Sequence, residues 1–424
     1  MFIVYDLIFL FLTLFYLPVY LFKRKLHHGF IRRIGFLPDN LNLDRPIWIH
    51  AVSVGEATAI KGLVSALRKI YPQKKLVVST VTATGNKIAK TLVKEGDFLT
   101  YLPLDFSFIL RRVFKRINPC IFIIAETEIW PNLITCLFKQ GIPTVMVNGR
   151  ISDSSYNGYR AIRFFIKPIL KKITKFCVQS DTDALRLKDL GVAKDKVEVT
   201  GNVKFDINLG AAVDATSFRR KLGLAQNDKL LVCGSTHPKE EEIIFDAYAQ
   251  LLTTLPKLKL FIAPRHPERS QDIARLAGSR GYLPLFISAI PASCPTYINN
   301  SVFILDSIGE LFNYYSAADI VFIGGSLVKR GGHNILEPAS LRKPIIFGSH
   351  MFNFRDISEL FLKNKAAVMV SGPKGLAGKI REIIQQESLA RELGERSYRL
   401  ILENRGATSR NIQVVRQMNL ISEA

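Results

Sequence analysis

What this sequence has little of narrows it first. Five cysteines (Cys120, Cys136, Cys177, Cys233 and Cys294) are scattered through 424 residues, odd in number and with no C-x-x-C pair. That usage suggests neither a disulfide framework nor a zinc site, and it suits a reducing compartment. Neither G-x-G-x-x-G nor G-x-x-x-x-G-K-[ST] occurs, so dinucleotide and P-loop readings lose support. H-E-x-x-H is absent too, and a reaction without a metal fits better. Low-complexity tracts and short-period repeats are missing. Acids are scarce beside bases: 36 Asp and Glu stand against 58 Lys and Arg, a formal charge of +22. Such an excess speaks of partners rather than of fold: an anionic membrane surface, an acidic substrate or nucleic acid. No DNA- or RNA-reading signature accompanies it, so nucleic acid is not the expected partner.

What is present begins with an apolar run. From Phe2 to Phe22 the only charge is Asp6, and Lys23, Arg24, Lys25, Arg32 and Arg33 follow. A helix of roughly 20 apolar residues spans a hydrocarbon core of about 30 Å. The basic flank keeps the remainder on the cytoplasmic side by the positive-inside rule. Residues 1–22 are therefore expected to form a membrane anchor. No basic residue precedes the run and no A-x-A-like site follows, which argues against a cleaved signal peptide.

Behind it, short continuous apolar runs alternate with amphipathic stretches. IWIHAV (47–52), KLVVSTV (75–81), CIFIIAE (120–126), TVMVNG (144–149), KFCVQS (175–180) and VEVTGN (197–202) read as parallel strands covered on both faces. A weaker, turn-rich stretch follows over 208–228, and then KLLVCGST, LKLFIAPR, SVFILDS, IVFIGGS and PIIFGS restart the pattern. The fold class is α/β, with two Rossmann-like domains, 23–206 and 207–424, the second carrying a helical tail. Ligands of such sheets bind beyond the carboxyl ends of the strands, where the chemically interesting residues cluster.

Each of these clusters admits two readings. Glu56 of Ser53-Val54-Gly55-Glu56 is either a general base for a sugar hydroxyl or the acid of a capping box. Glu126 and Glu128 of AETEIWPN lie at the mouth of the sheet or in a solvated helix N-terminus. Lys204 of GNVKFD is a neutraliser of a carboxylate or phosphate, or one surface lysine among many. Arg265 of PRHPER suits an anionic ligand or a solvated turn. The glycines of GGS and GGHNILEP favour close approach to a phosphate, with Glu337 free to take ribose hydroxyls, although Asn334 to Glu337 also resembles a helix cap.

Taken in order behind the apolar run, SVGE, ETEIWPN, GNVKFD, PRHPER and GGSLVKRGGHNILEPA resemble the bacterial Kdo (3-deoxy-D-manno-octulosonic acid) transferases over nearly the whole chain. The resemblance implies a GT-B fold, with the two Rossmann-like domains facing a cleft. It implies inverting transfer of Kdo from CMP-Kdo to a lipid A precursor (lipid IVA) in lipopolysaccharide core biosynthesis, at the inner membrane, with no metal and no cofactor. Glu56 would be the base, and Glu126 and Lys204 would assist the transition state. Arg265 and His266, then Gly309, Glu310 and Leu311 of SIGEL, then Asn334, Ile335, Leu336 and Glu337 would hold CMP-Kdo. Two rivals stand beside it: another GT-B nucleotide-sugar transferase or epimerase, and a non-catalytic membrane module that binds glycolipid.

Overall fold

The structure is a computed structural model and describes residues 5–11, 13, 15, 29–207, 214–290 and 300–419. The chain divides into two compact units, Met1–Asp206 with Asn404–Ala424, and Ile207–Glu403.

The first unit is built on seven strands: β1 (Ile47–His50), β2 (Leu76–Thr80), β3 (Phe98–Tyr101), β4 (Ile121–Ala125), β5 (Thr144–Gly149), β6 (Lys175–Val178) and β7 (Val197–Val199). Their order is β3-β2-β1-β4-β5-β6-β7, and every pairing is parallel. The central strands are buried along their full length because helices cover both faces. One face packs Trp48, Phe114, Phe122 and Phe176; the other packs Ile49, Leu63, Leu67, Ile121 and Ile123.

The second unit repeats the plan with β8 (Lys229–Thr236), β9 (Leu258–Pro264), β10 (Leu283–Phe286), β11 (Ser301–Ile304), β12 (Ile320–Ile323), β13 (Ile345–Gly348) and β14 (Val368–Val370). The order is β10-β11-β9-β8-β12-β13-β14, again parallel throughout. In both sheets the first strand of the unit lies centrally, with its successor on one side and a later strand on the other. The connections therefore diverge at β1/β4 and at β8/β12, and a crevice for ligands opens at such switch points.

One expectation needs correction. The tail does not end in the second unit. The helix Ala407–Gln417 buries Ile412, Val414 and Val415 in the first unit's core, beside Ile47 and Leu63. Its start is fixed by Asp206, whose carboxylate accepts from Gly406 N at 2.6 Å and Thr408 N at 2.5 Å. An amphipathic pattern reports that a helix has a buried face, not which core receives it.

The apolar run Phe2 to Phe22 lies largely outside the described residues. Residues 5–11, 13 and 15 are helical, and among the described residues no helix is long and apolar enough to cross a membrane. Asp6 is tied into the first unit. It accepts from Ser107 N at 3.0 Å, Ser107 Oγ at 2.5 Å and Asn132 Nδ2 at 2.6 Å. The helix Ser107–Ile117 has no side-chain cap from its own Phe106, so Asp6 satisfies its first amide from a distance. The single charge of the run is thus a docking group.

Candidate active site

In the first unit the site forms at the ends of β1 and β4. Ser53 caps the helix Val54–Ala59, its Oγ 3.5 Å from Glu56 N. Glu56 turns back as a capping-box acid would, with Oε2 accepting from Val52 N at 2.6 Å and Oε1 from Ser53 Oγ at 3.1 Å. Yet the same carboxylate lines a cavity of about 190 Å³ with Glu126, Thr127, Glu128, Arg150, Ser152 and Ser155. The two readings of Glu56 are therefore compatible: the cap holds the carboxylate still while one side of it faces open space.

β4 ends at Ala125, and Glu126 adopts φ +58°, a left-handed conformation uncommon for a residue with a side chain. Its amide donates to Val147 O at 2.9 Å, which ties this turn to β5. Thr127 and Arg150 reinforce the tie through Arg150 N to Thr127 Oγ1 at 3.2 Å and a second bond from that hydroxyl to Arg150 O. Glu128 accepts from Trp130 Nε1 at 2.7 Å. The next helix begins at Pro131 with no acid in its first turn, so the helix-dipole reading of these glutamates does not hold.

Three carboxylates around one small cavity resist ionising together. Burial, with repulsion from Glu126 and then Glu128, raises Glu56 from 4.5 to about 7, against the pull of the Val52 and Ser53 hydrogen bonds. Burial also raises Glu128, opposed by Trp130. A carboxylate that ionises near neutrality suits a general base. Lys204 sits on a short turn, Val203–Phe205, and its own amide donates to Asn202 Oδ1 at 2.9 Å. It does not line the Glu56 cavity.

The second unit gathers positive charge at the ends of β8, β9 and β12. Arg265 leaves β9 with its amide on Thr236 O at 3.0 Å, which brings the PRHPER turn beside the end of β8. There His237 stacks on His333, ring centroids 5.1 Å apart and Nε2 to Nε2 at 2.9 Å. The His266 ring stands edge-on to His237 at 6.2 Å. Arg269 is held by Glu241 through two bonds of 2.8 and 3.1 Å. Burial lowers both His237 and His333 to about 4; for His237 the next causes are Arg330, His266, Arg269 and Arg265, and for His333 they are His237, Arg265 and His266.

One buried carboxylate organises this corner. Glu240 accepts from Gly325 N at 2.7 Å, Leu327 N at 3.0 Å, Ser326 N at 3.1 Å and His237 N at 3.2 Å. It folds the loop after β12 onto the end of β8. The glycines of that loop serve protein packing. A Cβ on Gly324 would meet Ser235 O at 2.3 Å, and one on Gly332 would meet Met351 Sδ at 2.2 Å. Asn334 accepts from Leu336 N at 3.0 Å and donates to Glu337 at 3.1 Å, so it caps a helix of five residues, Leu336–Ser340. Ile335 and Leu336 are buried and offer a ligand only backbone. Burial raises Glu337. Gly309 takes φ +94°, and Glu310 accepts from Ser307 Oγ at 2.5 Å just before the helix Leu311–Ala317, whose start has no side-chain cap.

The family model for 3-deoxy-D-manno-octulosonic-acid transferase (kdotransferase) matches residues 28–207. A 3-deoxy-D-manno-octulosonic acid transferase of Haemophilus influenzae is 35% identical, over 87% of this chain and 86% of the relative. The chain belongs to the Kdo transferase family. It is a glycosyltransferase. The transferase of Chlamydophila psittaci is 32% identical over 84% of this chain and 83% of its own length. Among solved structures, a UDP-GlcNAc 2-epimerase from Neisseria meningitidis bound to UDP-GlcNAc covers 88% of this transferase and 99% of itself, at TM-score 0.56 and 14% identity. That likeness speaks for the fold alone.

Sequence reasoning missed four contributors to these sites: His237, Glu240, Glu241 and Arg150. The stretch STHPKEE matches no motif, and acids opening a helix look solvated. Only the tertiary fold shows that Glu240 and Glu241 are buried and fully engaged.

Proposed function

We propose that this transferase moves Kdo from CMP-Kdo to a lipid A precursor of the lipid IVA type in lipopolysaccharide core biosynthesis, by an inverting, metal-independent displacement within a GT-B arrangement. The observation that carries this is Glu56, raised to about 7 at the rim of a cavity it shares with Glu126 and Glu128. Glu56 takes the proton of the acceptor hydroxyl as the oxygen attacks the anomeric carbon of Kdo, and CMP departs with the bonding electrons. Glu126 and Lys204 assist the transition state in this scheme. The anion falls to the second unit, where Arg265 and His266 stand near Arg269 and Arg330, with Gly309, Glu310, Leu311 and Asn334 to Glu337 completing the CMP-Kdo site.

The acceptor carries phosphates and acyl chains, and the chain has the charge and the apolar surface to meet it. Among the described helical residues near the N-terminus, Leu7, Ile8, Leu10, Phe11 and Phe15 present an exposed apolar face. We place the protein at the cytoplasmic face of the inner membrane, with that face in the lipid.

The deciding experiment is transfer from CMP-Kdo to lipid IVA in detergent with EDTA, wild type beside Glu56→Gln. A Kdo-bearing lipid from the wild type alone supports donor, acceptor and base together. No transfer with CMP-Kdo, but turnover with a UDP-sugar, overturns the reading in favour of the rival donors.

A further inference from the structure

The second unit holds a group that none of the family's matched positions uses. His237 and His333 face each other through their Nε2 atoms at 2.9 Å, with the rings nearly coplanar in orientation at 7°. One nitrogen must carry a proton and the other a lone pair, because two N–H groups cannot point at one another. The neutral pair therefore has room for one further proton, on an outward Nδ1, and a second would break the contact. Around it stand Arg265, His266 and Arg269 from the segment after β9, and Arg330 from the loop after β12. On its own segment Glu240 is already engaged by four amides, one of them that of His237. Burial first, and then the cations of both loops, thus keep the pair uncharged.

An anion entering this corner reverses that balance. We propose that the His237–His333 pair takes up one proton when the phosphate of the nucleotide donor binds, and so presents an imidazolium to the departing phosphate. The idea rests on the reading of the second unit as the CMP-Kdo site. In the reaction the bond between the anomeric carbon and the phosphate oxygen breaks, and its electrons leave with CMP. The acceptor's proton goes to Glu56. The pair keeps its proton and donates a hydrogen bond to the phosphate as its charge grows. Release of CMP returns that proton to solvent. His237 and His333 are thus positioning and charge-balancing groups whose state follows occupancy of the site.

Proton uptake is the readout that a structural role would not move. The full chain is titrated calorimetrically at pH 6 in two buffers of different ionisation enthalpy. The probe is the methyl ester of CMP, whose phosphodiester does not titrate there; CMP and cytidine are run beside it. The expected result is uptake approaching about one proton per ester bound, with affinity falling by up to about tenfold per pH unit as pH rises from the free pair's pKa to the higher pKa of the bound pair. Cytidine should take up none. His237→Gln and His333→Gln should each abolish uptake while retaining weaker ester binding. Ester binding without uptake in the wild type overturns the proposal, as does uptake that survives both substitutions. If neither CMP nor its ester binds, the donor-site reading itself fails. Should a variant not fold, histidine ¹⁵N shifts of the wild type with and without ester decide the matter: unchanged His237 and His333 shifts overturn it.

Discussion

The two units are the same carpentry, and the groups at their switch points are opposite in charge. Each is a seven-stranded parallel sheet whose site gathers at a switch point, β1/β4 in one and β8/β12 in the other. Around the first stand Glu56, Glu126 and Glu128; around the second stand three histidines with Arg265, Arg269 and Arg330. The sheet decides where a site can be, and the loops decide what it is for. A base that removes a proton near neutrality needs burial and negative neighbours that hold its own proton longer. A site for a departing phosphate needs the reverse.

The comparison can be broken one half at a time. The largest effect is expected from Glu56→Gln, which should lower kcat for Kdo transfer by about 10²–10⁴-fold, while CMP affinity measured by calorimetry stays put. Loss of CMP binding would mean that the halves are not separable. Next comes Glu240→Gln, the mirror experiment. Replacing one of the two oxygens that gather four amides should cost about 2–3 kcal/mol in urea unfolding and weaken CMP binding. A variant as stable as wild type would deny Glu240 its organising role.

A smaller effect is a shift of pH dependence. Transfer needs Glu56 ionised, so the rate should rise with pH through about 7. Glu126→Gln removes the stronger repulsion and should move that rise to lower pH; Glu128→Gln should move it less. Full pH profiles of both variants, in either order of shift, test the assignment. Stability follows the same group with a definite sign. The folded value lies above the ordinary 4.5, so the folded state holds the extra proton between about 4.5 and 7, and that contribution is lost as pH rises through this window. Smallest is Asp206→Ala, which uncaps the helix Ala407–Gln417 and should cost about 1 kcal/mol by thermal or urea unfolding.

Much of the fold was legible in the chain because parallel strands buried on both faces leave continuous apolar runs. IWIH, LVVST and IFIIA announce themselves in this way. FLTY and LPLF did not, because β3 and β10 lie at sheet edges and carry Thr, Tyr or Pro. At the sites, spacing marked Glu56 but could not separate cap from base, since the side chain does both. His237 and Glu240 left no local trace at all: their meaning comes from a loop about 85 residues further along the chain. The glycines of GGS and GGHN also answer to packing that the sequence does not display, since Gly324 lies against Ser235 and Gly332 against Met351.

The return of Asn404–Ala424 to the first unit makes the second unit an insertion in the chain. During synthesis the second unit is fully made before the last helix of the first exists. Ile412, Val414 and Val415 leave the ribosome only after the second unit, so the core that supports Glu56 stays open until then. A chain interrupted before residue 404 would carry a complete second unit and an unfinished first one. The order of residues thus closes the core behind Glu56 only after the second unit has been made.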